Sequence, residues 1–213
     1  MPRRDGIGIF GGTFDPIHFG HLRMAEEARD QLGLDRVLFV PNRVSPFKAG
    51  GGVSPGELRA EMVRRAIADN PSFAISRVEL DRPGPSYAIE RVRALRDAHP
   101  DADLFFLSGT DAIKDLPAWR EPEALLVLAR FVAATRPGVD PGAVLAALPA
   151  SWADRVTFIE MPGLDISATD LRARVRAGRS IRYLVPPPVE AFVRERGLYC
   201  RGNDTVPEGN CAT

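Results

Sequence analysis

Three scarcities limit what this 213-residue chain can be. It has only two cysteines, Cys200 and Cys211, both near the C-terminus. That excludes a disulfide framework, and the spacing lacks the Cys and His partners of a zinc site. We read them as two incidental thiols in a reducing compartment, with a disulfide closing the tail as the competing reading. No apolar run is long: the best are residues 124–129 and 143–148. A membrane span needs about 20 apolar residues, so none is expected. The basic start Met-Pro-Arg-Arg-Asp is followed by glycine-interrupted sequence, not a signal-peptide core, and the expected location is cytoplasmic. Net charge is also lacking, with 28 Lys+Arg against 28 Asp+Glu. This excludes the uniformly basic surface of a nucleic-acid coat but leaves room for a local nucleotide site.

What is present is ordinary for a globular domain: 45% hydrophobic and 26% charged residues. Strand-like and helix-like stretches alternate. Strands are expected at 6–10, 36–40, 73–80, 104–107, 131–134 and 156–160. Helices are expected at 22–32, 55–68, 86–99, 122–129, 141–148, 168–176 and 186–196. Runs such as Val37-Leu38-Phe39-Val40 are apolar throughout, as in strands buried on both faces of a parallel sheet. The alternation predicts an α/β fold: a Rossmann-like, doubly wound parallel sheet with helices on both faces. Residues 1–200 are expected to form a single domain, and the polar residues 201–213 a disordered tail. The Gly- and Pro-rich stretch 44–55, which carries Lys48, reads as a functional loop.

Two segments carry chemistry. The first is Gly11-Gly12-Thr13-Phe14-Asp15-Pro16-Ile17-His18-Phe19-Gly20-His21, between the first strand and the first helix. Ligands of open parallel sheets bind at such strand ends. The glycines are expected to give a phosphate room, and the helix terminus to favour its charge. His18 and His21 are three apart, so both can stand at the first turn and stabilise charge on a leaving group. A zinc pair and a merely structural turn are the rival readings. A Gly-x-Gly-x-x-Gly string, Gly6 to Gly11, lies inside the strand instead of after it and is set aside as coincidence. The second segment is Ile166-Ser167-Ala168-Thr169-Asp170-Leu171-Arg172. Ser167 with Asp170 fits a helix cap. With Arg172 one turn in, the same helix start can clamp a phosphate.

Together these segments resemble the two signatures of the nucleotidyltransferase superfamily with the His-x-Gly-His motif. The match narrows through Pro41-Asn42, Pro46-Phe47-Lys48, Pro85-Ser86-Tyr87, Gly109-Thr110-Asp111, Trp119, Tyr183-Leu184-Val185-Pro186 and Leu198-Tyr199. In that order they resemble the bacterial nicotinate-nucleotide adenylyltransferases over about residues 7–199. The resemblance implies transfer of AMP from ATP to nicotinate mononucleotide, with Mg²⁺ arriving with ATP and no protein metal ligands assigned. It implies catalytic roles for His18, His21 and Arg172. It assigns ATP binding to Gly11, Gly12, Thr13, Phe14, Ser167, Thr169 and Arg172. It assigns the acceptor to Lys48, Ser86, Tyr87, Asp111 and Trp119. Bland alternatives stand beside these: Trp119 and Tyr87 as packing aromatics, Lys48 as a solvated lysine, Asp111 as a helix cap.

Two departures from the family pattern stand out. Phe47 occupies the place of a histidine before the lysine, and Ala168 that of a second serine. Selectivity for nicotinate is expected from a helix N-terminus near Ser86, whose amides favour a carboxylate over a carboxamide. Competing readings are a sister enzyme acting on nicotinamide mononucleotide or phosphopantetheine, a cytidylyltransferase, a fragment of a class I aminoacyl-tRNA synthetase, and a non-catalytic nucleotide-binding protein. The partners expected are ATP and nicotinate mononucleotide, with no nucleic acid and no membrane. Oligomeric state is left open, a homo-oligomer included.

Overall fold

The computed structural model describes residues 4–43, 52–135 and 138–200. Six strands form one parallel sheet: β1 (Gly6–Gly12), β2 (Arg36–Pro41), β3 (Phe73–Ile75), β4 (Asp103–Gly109), β5 (Arg130–Thr135) and β6 (Val156–Glu160). Their spatial order is β3-β2-β1-β4-β5-β6. Every neighbouring pair is parallel, with Ile9 opposite Leu38 on one side and Phe106 on the other. The expected doubly wound α/β sheet is therefore present.

Side-chain alternation along the strands builds two cores. Phe10, Val37, Phe39, Leu107, Val132 and Ala134 point to one face. Ile7, Ile9, Leu38, Val40, Leu104, Phe106, Phe131 and Ala133 point to the other. Helices α1 (Phe19–Leu32), α2 (Gly56–Ala66), α7 (Ala168–Arg176) and α8 (Pro187–Glu195) cover the first face through Met24, Met62, Leu171 and Phe192. Helices α3 (Ala88–Ala98), α4 (Thr110–Asp115) and α5 (Pro122–Leu128) cover the second through Ile89, Ile113 and Leu125. The remaining helix, α6 (Pro141–Ala146), starts at Asp140, whose side chain accepts from the Gly142 N–H at 2.9 Å. Gly33 ends α1 in the left-handed region at φ 61°, where a side chain would add strain.

Four expectations need correction. The strand expected at 73–80 stops at Ile75. After it, Ser76 N–H donates to Phe39 O at 2.8 Å and the chain turns, which lets Glu79 reach the interior. The helix expected from Ser86 begins at Ala88, because Tyr87 is its extended N-cap. The short helix α4 and the 3₁₀ turn Ala150–Arg155 were not expected; each is too short to show a period in sequence. Cys200 is disulfide-bonded, so the competing reading holds and the incidental thiol does not. Cys211 and the expected tail lie outside the described residues, as does most of the loop 44–55.

Candidate active site

The strand order reverses between β1 and β4, so a crevice opens at their carboxyl ends. The first signature leaves β1 there. His18 is the extended N-cap of α1, and its backbone N–H donates to His21 Nδ1 at 3.3 Å. With Nδ1 accepting, the ring N–H of His21 is the one at Nε2. The two imidazoles stack with centroids 3.7 Å apart. Gly20 makes this arrangement possible, since a Cβ there would stand 3.0 Å from His18 Nδ1. His18 is buried, and its Nδ1 has no hydrogen-bond partner among the described residues. Burial pulls its pKa down from the usual 6.5 to about 4, so the ring is neutral at neutral pH.

The second signature arrives from the far end of the chain. Ser167 caps α7, its Oγ accepting from the Asp170 N–H at 3.1 Å. The carboxylate of Asp170 turns to Arg174 at 2.8 Å, so only half of a capping box forms. Arg172 Nη1 donates to the backbone carbonyl of Asp15 at 2.8 Å, and Nη2 to Thr169 Oγ1 at 3.3 Å. Thus residues 157 positions apart meet, and the second motif is docked on the first.

A cleft of about 590 Å³ opens on the other side of Gly11. Ser86, Tyr87, Arg91, Phe106, Trp119 and Arg120 line it. Trp119 is half-buried and stands edge-on to Phe106 at 5.7 Å, so it packs and lines the cleft at once. The Arg120 guanidinium lies 4.8 Å over the Tyr87 ring. Ser86 Oγ accepts from the Arg43 N–H at 3.0 Å. Beneath them Arg91 Nε pairs with Glu79 Oε1 at 2.5 Å, both side chains buried, and Arg91 Nη2 donates to Asn42 Oδ1 at 2.9 Å.

Sequence-based assignments fare unevenly in this arrangement. Thr13, His18, His21, Ser167, Thr169 and Arg172 belong to the two joined signatures. Gly11 and Gly12 also serve packing: a Cβ at Gly11 would fall on the Arg91 guanidinium, and one at Gly12 would stand 2.8 Å from the Phe14 ring. Phe14 itself is 1% exposed and edge-on to His21 at 5.1 Å, so its ring is core and only its backbone can meet a nucleotide. Ser86, Tyr87 and Trp119 come together in the cleft. Asp111 does not join them. It is exposed in the first turn of α4 and lines a separate cavity of about 420 Å³ with Lys114, Val144 and Leu148. Lys48 lies outside the described residues. Among the described residues, no group of three or more His, Cys, Asp or Glu could hold a metal ion.

Comparison with known proteins now decides the family. The Cytidylyltransferase-like family model matches residues 9–174. A Symbiobacterium thermophilum protein named probable nicotinate-nucleotide adenylyltransferase is 48% identical over 199 residues, covering 92% of this chain and 96% of its own. The chain belongs to the nicotinate-nucleotide adenylyltransferase family. A Roseiflexus protein of the same name is 50% identical over 195 residues, covering 91% of this chain and 97% of its own. The fold is also that of Plasmodium falciparum nicotinic acid mononucleotide adenylyltransferase complexed with NaAD: TM-score 0.77, 20% identity, 92% of this chain and 98% of that one.

Within this member of the family, several site-building residues were given no role by sequence reasoning, although Asp15, Asn42 and Tyr199 lie in the quoted motifs. Arg59 is 1% exposed and donates to the carbonyls of Thr13 at 2.7 Å, Asn42 at 2.6 Å and Ser54 at 2.8 Å. Asp15 and Tyr199 form a buried pair at 2.6 Å. Arg91 and Glu79 form another. The available signal was weak: an arginine inside an apolar helix stripe, as at Met62-Val63 around Arg59, hints at a buried charge, but its partners are unreadable without the fold.

Proposed function

We propose that this chain transfers AMP from ATP to nicotinate mononucleotide, giving nicotinate adenine dinucleotide and pyrophosphate. One observation carries the residue assignment: Arg172 of the second signature is fixed to Asp15 of the first, beside the stacked His18 and His21. The aromatic cleft next to Gly11 supports a planar acceptor lying alongside. The names of the relatives support the same acceptor.

In this reading the acceptor's phosphate oxygen attacks the α-phosphorus of ATP. A phosphorus–oxygen bond forms there, and the bond to the bridging oxygen of pyrophosphate breaks with its electron pair. The attacking oxygen is already ionised near neutral pH, so no general base is needed. The protein aligns the two phosphates and neutralises the departing charge. His21 offers an Nε2–H, His18 a neutral imidazole, and Arg172 a guanidinium whose orientation Asp15 and Thr169 set. Ser167, Thr169 and the first amides of α7 hold the triphosphate from the second side. Mg²⁺ enters as part of the MgATP substrate. Ser86, Tyr87 and Trp119 frame the pyridine. The N-terminus of α3, at Ala88 and not Ser86, faces its carboxylate with no side chain capping it. The proposed compartment is the cytoplasm; the Cys200 disulfide is the one feature a reducing compartment would oppose.

Pyrophosphate release from MgATP tests the reading, with nicotinate mononucleotide, nicotinamide mononucleotide and phosphopantetheine offered separately. Turnover with the nicotinate form alone is expected. Equal turnover with the amide would discard the α3 account of selectivity. Turnover only with phosphopantetheine would overturn the assignment of the cleft.

A further inference from the structure

Tyr199 is the one residue from beyond α8 whose polar group reaches the first signature among the described hydrogen bonds. It is 8% exposed, and its hydroxyl donates to Asp15 Oδ1 at 2.6 Å across 184 residues. Asp15 is 1% exposed, and its second oxygen, Oδ2, accepts from the Ser54 N–H at 3.1 Å. Both carboxylate oxygens are therefore held. The same residue's backbone carbonyl is the acceptor for Arg172 Nη1. Asp15 thus has its side chain fixed by Tyr199 and Ser54 and its main chain used as the seat of Arg172. Arg59 fixes the adjoining carbonyls of Thr13 and Ser54. Tyr199 supplies a buried hydroxyl to the Asp15 carboxylate.

We propose that Tyr199 is a positioning residue: through Asp15 it sets the Arg172 guanidinium in the orientation that grips the triphosphate of ATP. The inference rests on the adenylyl-transfer reading for the identity of the triphosphate, and it gives a role to Tyr199, to which the sequence resemblance assigned none. Burial, with the Asp15 carboxylate beside it, raises the Tyr199 hydroxyl well above its ordinary pKa, so it stays a donor across any assay range. A purely structural role predicts something different. Tyr199 Oη also lies 3.9 Å from Met62 Sδ in the core, and losing a packing contact there would weaken both substrates or neither.

The experiment uses the full chain with Tyr199→Phe, which keeps the ring and removes the hydroxyl. Binding of α,β-methylene-ATP is measured by calorimetry, and KM for MgATP and nicotinate mononucleotide by pyrophosphate release. Loss of one hydrogen bond to a charged group predicts an analogue Kd and an ATP KM about tenfold higher, with the acceptor KM unchanged. In an Arg172→Ala background the same substitution should change the analogue Kd less than twofold, because the group it acts through is gone. Equal losses in the two backgrounds, equal losses for both substrates, or no loss would overturn the proposal. If Tyr199→Phe fails to fold, Asp15→Asn tests the same link, with the same ATP-selective loss expected. A wild-type protein that binds the analogue with this coupling yet releases no pyrophosphate with nicotinate mononucleotide would overturn the acceptor reading and leave the positioning role supported.

Discussion

The two halves of the site are built by different means. The half proposed to hold the triphosphate consists of two helix starts, at His18 and Ser167, whose geometry is set within a few residues of sequence. His18 N–H meets His21 three residues on, and Ser167 meets Asp170 three residues on. The half proposed to hold the acceptor is assembled from separate segments: Asn42 after β2, Ser86 and Tyr87 before α3, Arg91 within it, Phe106 on β4, and Trp119. It lies toward the sheet face covered by α3, α4 and α5, whereas α1 and α7 cover the other. The lesson is that backbone termini can present a charge-binding site from local sequence alone. A cavity for a ring needs side chains from several elements, and hence the finished sheet.

This contrast can be broken by mutation. Removing one partner of the buried pair under the acceptor cleft, Glu79→Ala, should strand the Arg91 charge. A loss of about 3–5 kcal/mol in unfolding free energy is expected. The acceptor KM should rise with it, because Arg91 lines the cleft. Urea denaturation and steady-state kinetics read both; an unchanged stability would show that the acceptor half does not depend on long-range packing as argued.

Substitutions in the triphosphate half should behave oppositely. His21→Ala, and separately His18→Ala, should lower kcat by about 10²–10³-fold, the scale for losing one donor to developing charge. Unfolding stability should fall much less than turnover. Near-normal turnover in both variants would remove the histidines from the mechanism.

His18 also links the site to stability through pH. Its folded pKa, about 4, lies below its unfolded value of 6.5. Above pH 6.5 both states are neutral and the group adds no pH dependence. As pH falls from 6.5 to 4 the unfolded state takes up the proton first, so stability is lost, on the order of 3 kcal/mol in full. His18→Gln should flatten that window in a denaturation series. A wild-type profile indistinguishable from the variant's would contradict the burial of a neutral ring. The smallest effect is expected at Ser167→Ala. Losing its cap should cost about 1 kcal/mol and raise the ATP KM modestly, with the acceptor KM as the control.

The helix starts were legible because their signals are short-range. His-x-Gly-His and Ser-x-x-Asp place donors by helical geometry, and the apolar runs of β1, β2, β4 and β5 announce buried parallel strands. The limits of legibility have equally specific causes. Gly11 and Gly12 read as phosphate-cradling glycines, and their missing side chains also make room for Arg91 and Phe14. Phe14 read as a nucleotide contact, yet its ring belongs to the core. Asp111 read as part of the acceptor site, yet α4 carries it to another cavity. In each case the direction of a side chain depended on what packed against it.

By itself the sequence determined the alternation of strands and helices, the neighbourhood of the two helix starts and the polar groups standing at them. These follow from propensities, capping and periods that act over a few residues. Only the tertiary structure decided that Arg172 rests on Asp15, that Tyr199 and Arg59 lock the loop beneath it, and that Arg91 and Glu79 pair under the aromatic cleft. Those pairings join residues that no local spacing relates. They exist because an arginine or aspartate carried into the interior must find a partner there, and strand order alone sets which partner is within reach.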